Sequence, residues 1–261
     1  MIPKVIHYCW FGRGEKSKLI KKCIKSWKKI CPDYTITEWN EDNFDLSATP
    51  DFVKQAYAAK KWAFVSDYAR LKIVYENGGI YLDTDVELIR PLTDLLEYAA
   101  YFGAETDEII NTGLGFGAHK GAPILHAILQ QYEGLSFDPE TCVACPYTDT
   151  PVFLNMGWRQ DGTLQILPGN VAVFPAKYFN PKERMTGGVN RTLNTYSIHH
   201  YASTWHTKEM KTLLSKQVRR FRRHMAVDYV KHIPNRMLRA VMGEKNYEKF
   251  KNTLKKKSGK G

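Results

Sequence analysis

Apolar positions arrive in short bursts, and their spacing alternates between two periods. Val5, Ile6, Tyr8 and Trp10 fall within 3–10 and predict a buried strand that turns at Phe11-Gly12. Leu19, Ile20, Cys23, Ile24 and Trp27 recur at threes and fours with lysines between them, an amphipathic helix over 16–30 that Pro32 and Asp33 stop. Residues 34–39 alternate and predict a second strand, so the chain opens on a βαβ unit. A polar, turn-rich stretch over 40–50 follows, then a short helix over 52–61 and a longer one over 63–77. Asn77-Gly78-Gly79 ends that helix, because glycine accepts positive φ at little cost. Ile80-Tyr81-Leu82 is the next buried strand, with Asp83 at its carboxyl end.

Further strands are expected over 100–104, 112–118, 165–167, 171–174 and 196–201, with a helix over 123–132. Residues 134–151 carry no clear period and are expected to form a loop or small insertion. From His206 the pattern turns helical, interrupted at Pro234. Strands alternating with helices predict an α/β domain over 1–205, with a helical extension over 206–261. In open sheets of this class, ligands bind at the carboxyl ends of the strands, where Asp83 lies.

Asp83-Thr84-Asp85 is therefore the first candidate for chemistry. Two carboxylates leaving a strand at i and i+2 reach one cation if the backbone turns there, and hard oxygen ligands suit Mg²⁺ or Mn²⁺. An Asp-x-Asp by itself is a common sequence in solvated loops. Here it sits between a Gly-Gly turn with an apolar strand and a further apolar run, where unpaired carboxylates are costly. Ser66, Asp67 and Arg70 lie on the preceding helix. The i, i+3 pair Asp67–Arg70 reads either as a surface ion pair or as a carboxylate for hydroxyls beside a guanidinium for phosphate or sugar.

At this point a resemblance adds to the residues. SDYARLKIVYENGGIYLDTDVELIRPL, residues 66–92, resembles the core motif of family 32 of the glycosyltransferases. That family includes bacterial capsular and exopolysaccharide transferases, and it is related to a yeast Golgi α-1,6-mannosyltransferase and to clostridial glucosylating toxins. IPKVIHYCWFG near the N-terminus and NTYSIHHYASTW over 194–205 are similar to other family segments. The resemblance implies a GT-A fold, a single Rossmann-like domain with a mixed central sheet. It also implies a sugar-nucleotide donor bound through Mn²⁺ or Mg²⁺, and retention of anomeric configuration. By the same resemblance Trp10 would stack on the nucleobase, and Asp67 with Arg70 and Ser66 would meet ribose and donor sugar. Tyr81 would precede the metal pair, Asp83 and Asp85 would serve the metal, and Trp205 would close over the diphosphate. Strand parity says only that one of His199 and His200 faces inward; family pattern favours His199 as the further metal ligand. Asn111 and the turn 117–121 would frame the donor sugar and acceptor, and Asp149 is a candidate acceptor-side acid.

Charge changes the picture at one end only. The net charge is +11, yet 206–261 holds 17 Lys and Arg against 4 Asp and Glu, so the preceding body is nearly neutral. Leu214, Val218, Phe221 and Met225 recur at helical spacing among Lys216, Arg219, Arg220, Arg222 and Arg223, a basic amphipathic pattern suited to an anionic membrane surface. Packing on the domain is the plainer reading of the same pattern. Nucleic acid is not expected, since no aromatic platform accompanies the charge. The five cysteines include one C-x-x-C, Cys142 and Cys145, without the second pair a structural zinc needs. The opening lacks a basic leader and a long apolar run, so neither signal peptide nor transmembrane helix is expected.

The reading is a retaining, metal-dependent hexosyltransferase, UDP-sugar favoured, acting on a glycan or lipid-linked oligosaccharide in polysaccharide biosynthesis. It would be cytoplasmic and peripheral on the inner face of the membrane. The alternative is a non-catalytic basic protein that binds membrane or nucleic acid, with a vestigial nucleotide-sugar site.

Overall fold

The computed structural model describes residues 1–138, 144–183 and 188–202, with Lys216, Asn246, Tyr247 and Lys249. In chain order the elements are β1 (Val5–Cys9), α1 (Lys18–Ile30), β2 (Thr35–Trp39), α2 (Asp51–Ala58), α3 (Trp62–Asn77), β3 (Gly79–Tyr81) and β4 (Val86–Leu88). There follow β5 (Ala100–Thr106), β6 (Ile109–Ile110), β7 (Phe116–Ala118), α4 (Pro123–Gln130), α5 (Cys145–Asn155), β8 (Gln165–Leu167), β9 (Val171–Phe174) and β10 (Ser197–His199). Backbone contacts divide the chain into Met1–Trp205 and His206–Gly261. The second unit, with its expected basic helices, lies almost wholly outside the described residues, as do Trp205 and Cys142.

The main sheet runs β2-β1-β3-β7-β5-β9-β8, with β6 on β5. β1 pairs parallel with β2 and β3, and β5 with β9, while β7 runs antiparallel to β3 and β5. The sheet is therefore mixed, and this α/β architecture is the one the resemblance implies. Alternation along the strands sends neighbours to opposite faces. Phe102 and Val173 enter one apolar cluster with α2, α3, α4 and α5, while Tyr101 and Phe174 enter another with Trp27 of α1.

The opening elements form as their periodicity predicts. Ser17 caps α1, its side chain accepting from the Ile20 N–H at 3.4 Å, and Ile20, Cys23 and Trp27 are the buried stripe. Gly78 closes α3 at φ +70, and a Cβ there would stand 2.9 Å from the Lys120 amide nitrogen.

Two expectations need correction. Residues 134–151 are not all loop, since α5 begins at Cys145. Pro151 sits inside that helix, where it lacks an N–H and crowds the preceding turn, so local rules argued against it. Tertiary bonds offset this: the Thr150 hydroxyl oxygen accepts from the Ile110 N–H at 3.0 Å, and the Thr112 hydroxyl donates to Asp149 at 2.8 Å. The strand expected over 112–118 is a 3-10 turn over Thr112–Leu114 followed by β7. The apolar run after Asp85 is a strand, β4, which pairs antiparallel with β10 in a second, two-stranded sheet.

Candidate functional site

Asp83 follows directly on β3 and its neighbour Leu82, and Asp85 precedes β4 by one residue. β4 is fixed from α1: the Trp27 indole donates to the Val86 carbonyl at 2.7 Å, and the Leu88 N–H donates to the Ser26 hydroxyl at 3.0 Å. β10 lies beside β4 with His199 opposite Val86, which carries His199 to the aspartates. The His199 Nε2 stands 3.1 Å from Asp85 Oδ1, and the Ala202 N–H donates to Asp85 Oδ2 at 2.7 Å. One donor atom each from Asp83, Asp85 and His199 lie within 4.8 Å of one another. Two hard carboxylates and an imidazole, with His199 Nδ1 buried and lacking a hydrogen-bond partner among the described residues, are a donor set that fits a divalent cation.

The electrostatics separate the two aspartates. Burial raises the Asp83 carboxyl to about 6, with Asp85 and Asp67 adding like charge and Arg70 opposing. Burial acts the same way on Asp85, but the His199 imidazole and the Ala202 N–H overcome it and hold Asp85 at about 2. Burial disfavours the His199 imidazolium, yet Asp85, Asp83 and Glu105 together raise it.

Behind this group, Arg70 is 2% exposed and pinned between two acids. Its Nη2 lies 2.6 Å from Asp67 Oδ1, close enough for an ion pair though not aligned as a hydrogen bond, and its Nη1 lies 3.5 Å from Asp83 Oδ1. The Tyr81 hydroxyl donates to the same Asp83 oxygen at 2.9 Å. Burial raises the Asp67 carboxyl, while Arg70 and Cys145, the N-terminal residue of α5, lower it; the Cys145 thiol donates to Asn111 Oδ1 at 3.8 Å. The plain surface ion pair considered for Asp67 and Arg70 is thus a buried one, aimed at the aspartate pair.

A cleft of about 1200 Å³ opens over these residues. Trp10, Ser66, Asp67, Arg70, Tyr81, Asp83, Asp85, Asn111 and His199 all line it, so sites far apart in the chain converge on one cavity. Trp10 is held by its indole N–H on the Gly14 carbonyl at 2.7 Å, with the Lys16 ammonium 5.0 Å from its ring. His200 faces elsewhere, its Nε2 2.8 Å from Glu87. Asp149 is corrected: it is completely buried and absent from the cleft wall, with Tyr132 and Thr112 on its two oxygens, so it cannot meet an acceptor. The turn over 117–121 also lies off the cleft, because Gly117 and Ala118 belong to β7 in the middle of the sheet.

Glu105 and Tyr201 are among the cleft residues that the sequence reading did not single out. Glu105 lies at the carboxyl end of β5, and the strand-end rule that singled out Asp83 applies to it equally. Tyr201 stands two residues beyond His199, its ring 4.3 Å from the imidazole. Among the described residues, no helix is long and apolar enough to cross a membrane.

Residues 17–102 match the family described as glycosyltransferase sugar-binding region containing DXD motif. The chain is 30% identical over 165 residues to inositol phosphoceramide mannosyltransferase 3 of Schizosaccharomyces pombe, covering 60% of this chain and 45% of that protein. It is 30% identical over 109 residues to an uncharacterised glycosyltransferase of Acanthamoeba polyphaga mimivirus, covering 40% and 43%. Among solved structures, the PaToxG glycosyltransferase superposes with a TM-score of 0.47 at 21% identity, covering 59% of this chain and 69% of that one. The chain spans less than half the length of the curated relatives it matches.

Proposed function

From the match of residues 17–102 to the DXD-containing glycosyltransferase sugar-binding region, we propose that the chain is a glycosyltransferase that moves a hexose from a nucleotide-sugar donor to a glycan or lipid-linked acceptor. The observation that carries this is the convergence of Asp83, Asp85 and His199, from segments far apart in the chain, within 4.8 Å on the wall of one cleft. Those three side chains would hold Mn²⁺ or Mg²⁺. Such a cation neutralises a diphosphate and stabilises the departing nucleoside diphosphate.

The chain's own residues supply the rest. Arg70 cannot swing away, since Asp67 and Asp83 hold it from two sides; it keeps both carboxylates oriented and its charge screens their mutual repulsion. Tyr81 fixes the rotamer of Asp83 through its hydroxyl. Trp10 offers a ring face for a nucleobase at the cleft wall, and Ser66 and Asn111 offer hydrogen bonds to ribose and sugar. Trp205 would close over the diphosphate. Retention of configuration follows from the resemblance over residues 2–92 and 194–205.

The stacking face of Trp10 suits UDP-sugars, while the relatives named mannosyltransferases make mannose the first other hexose to try. The strongly basic 206–261 segment would bring the enzyme to an anionic membrane surface on the cytoplasmic side, supported by its 17 Lys and Arg against 4 Asp and Glu. Calorimetric titration with UDP and with GDP, each with and without Mn²⁺, tests the core of this reading. Binding of one nucleotide that depends on Mn²⁺ is expected, and the absence of metal-linked binding of either would overturn it.

A further inference from the structure

Glu105 projects from the carboxyl end of β5 into the cleft and is half-buried. The Asn111 amide donates to its Oε2 at 2.7 Å and the Tyr201 hydroxyl to its Oε1 at 3.3 Å. The Asn180 amide holds the Glu105 backbone carbonyl at 3.1 Å. The His199 imidazole attracts this carboxylate through space but is itself paired with Asp85, 3.1 Å away. A carboxylate accepts about four hydrogen bonds, and two are made here. A half-buried carboxylate with lone pairs left over is satisfied by further donors, and it repels other anions. The ligand that suits it carries hydroxyl groups and no negative charge at that end.

Its neighbours say where that ligand sits. Asn111 adjoins Asp83: a Cβ on Gly113 would stand 2.6 Å from Asp83 Oδ2 and 2.9 Å from Asn111 Oδ1. On the other side, the Tyr201 ring packs on His199 with centroids 4.3 Å apart. Tyr201 is held at φ +52, a left-handed conformation that is unfavourable for a bulky residue and that the fold maintains at the cleft wall. Glu105 thus bonds Asn111, which flanks the Gly113 position beside Asp83, and Tyr201, which packs on His199. It lies on the same ring of residues as the proposed diphosphate-binding group, without belonging to that group.

We propose that Glu105, presented by Asn111 and Tyr201, accepts hydrogen bonds from hydroxyls of the donor hexose and so selects the sugar. The proposal rests on the nucleotide-sugar reading of the cleft. It separates from that reading because the nucleotide half of the donor makes no use of Glu105.

The test is calorimetry on the full chain in Mn²⁺ with UDP, UDP-glucose, UDP-galactose, GDP and GDP-mannose, comparing wild type with Glu105→Gln and Tyr201→Phe. For the nucleotide that binds, Glu105→Gln should leave affinity for the bare diphosphate within about twofold. It should weaken at least one matching nucleotide sugar about tenfold, the scale of a hydrogen bond to a charged group. Tyr201→Phe should shift the same ratio in the same direction by less. A ratio of sugar nucleotide to bare nucleotide unchanged in Glu105→Gln overturns the proposal. So does an equal loss for both ligands, which marks a structural role. Failure of the wild type to bind either bare nucleotide in Mn²⁺ strikes instead at the glycosyltransferase reading.

Discussion

The imidazole of His199 lies 3.1 Å from the carboxylate of Asp85, and the contact exists because two three-residue strands pair: β4 directly after Asp85 and β10 ending in His199. Trp27 of α1 holds β4 from behind. The candidate cation site therefore depends on a short sheet that is separate from the main one.

Removing either partner should abolish metal-linked nucleotide binding. Asp85→Asn and His199→Ala are each expected to weaken Mn²⁺-dependent UDP or GDP binding about a hundredfold or more, at or beyond the range seen for residues that only support metal ligands. Calorimetry with and without Mn²⁺ reads the change, and circular dichroism controls for folding. Retention of wild-type affinity in both variants would remove these residues from the metal site.

Gly113→Ala tests the site without altering any ligand. The added Cβ would stand 2.6 Å from Asp83 Oδ2 and 2.9 Å from Asn111 Oδ1, too close for either to stay in place. Mn²⁺-linked nucleotide affinity should fall about tenfold or more, as when a supporting shell is disturbed, while thermal denaturation moves only a few degrees. Unchanged affinity would show that Asp83 can yield without loss.

Arg70→Met should destabilise the domain. The substitution leaves Asp67 and Asp83 without their shared cation, and breaking a buried pair by removing one partner costs roughly 3–5 kcal/mol. Urea denaturation measures it. A loss below about 1 kcal/mol would indicate a pair that behaves as if exposed.

Asp149 should make stability pH-dependent. Burial raises its carboxyl from 3.8 to about 7, with Arg70 opposing. The folded state then binds the proton more tightly than the unfolded one, so this contribution is fully present below pH 3.8 and is lost as pH rises to about 7. The whole span corresponds to at most roughly 4 kcal/mol. Asp149→Asn keeps an oxygen for the Thr112 hydroxyl and removes the titration, so it should gain on wild type as pH rises from 3.8 to about 7. Parallel stability curves for the two proteins over that range would contradict the assignment.

Much of the fold was legible along the chain. The lysine-flanked stripe of α1 and the Gly78 stop after α3 are local signals, because a helix shows its buried face as a period and its end as a glycine. α5 was not legible, since Pro151 within it and the polar Asp149 and Thr150 on its buried side make sense only against Thr112 and Ile110. β4 was too short to carry a period, and its partner lies near the end of the described domain.

The site divides in the same way. The chain by itself determined the Asp83-Thr84-Asp85 pair at the end of an apolar strand, the Asp67–Arg70 spacing on a helix, and the parity that sends His199 and His200 to opposite sides. Each depends on neighbours within a few residues, where backbone geometry fixes direction. Only the tertiary structure decided that the imidazole of His199 and not that of His200 meets the Asp85 carboxylate, that Asp149 is interior and off the cleft, and that Glu105 shares a wall with Asp83 and His199. Those outcomes turn on strand pairing and burial between distant segments, which local spacing does not encode.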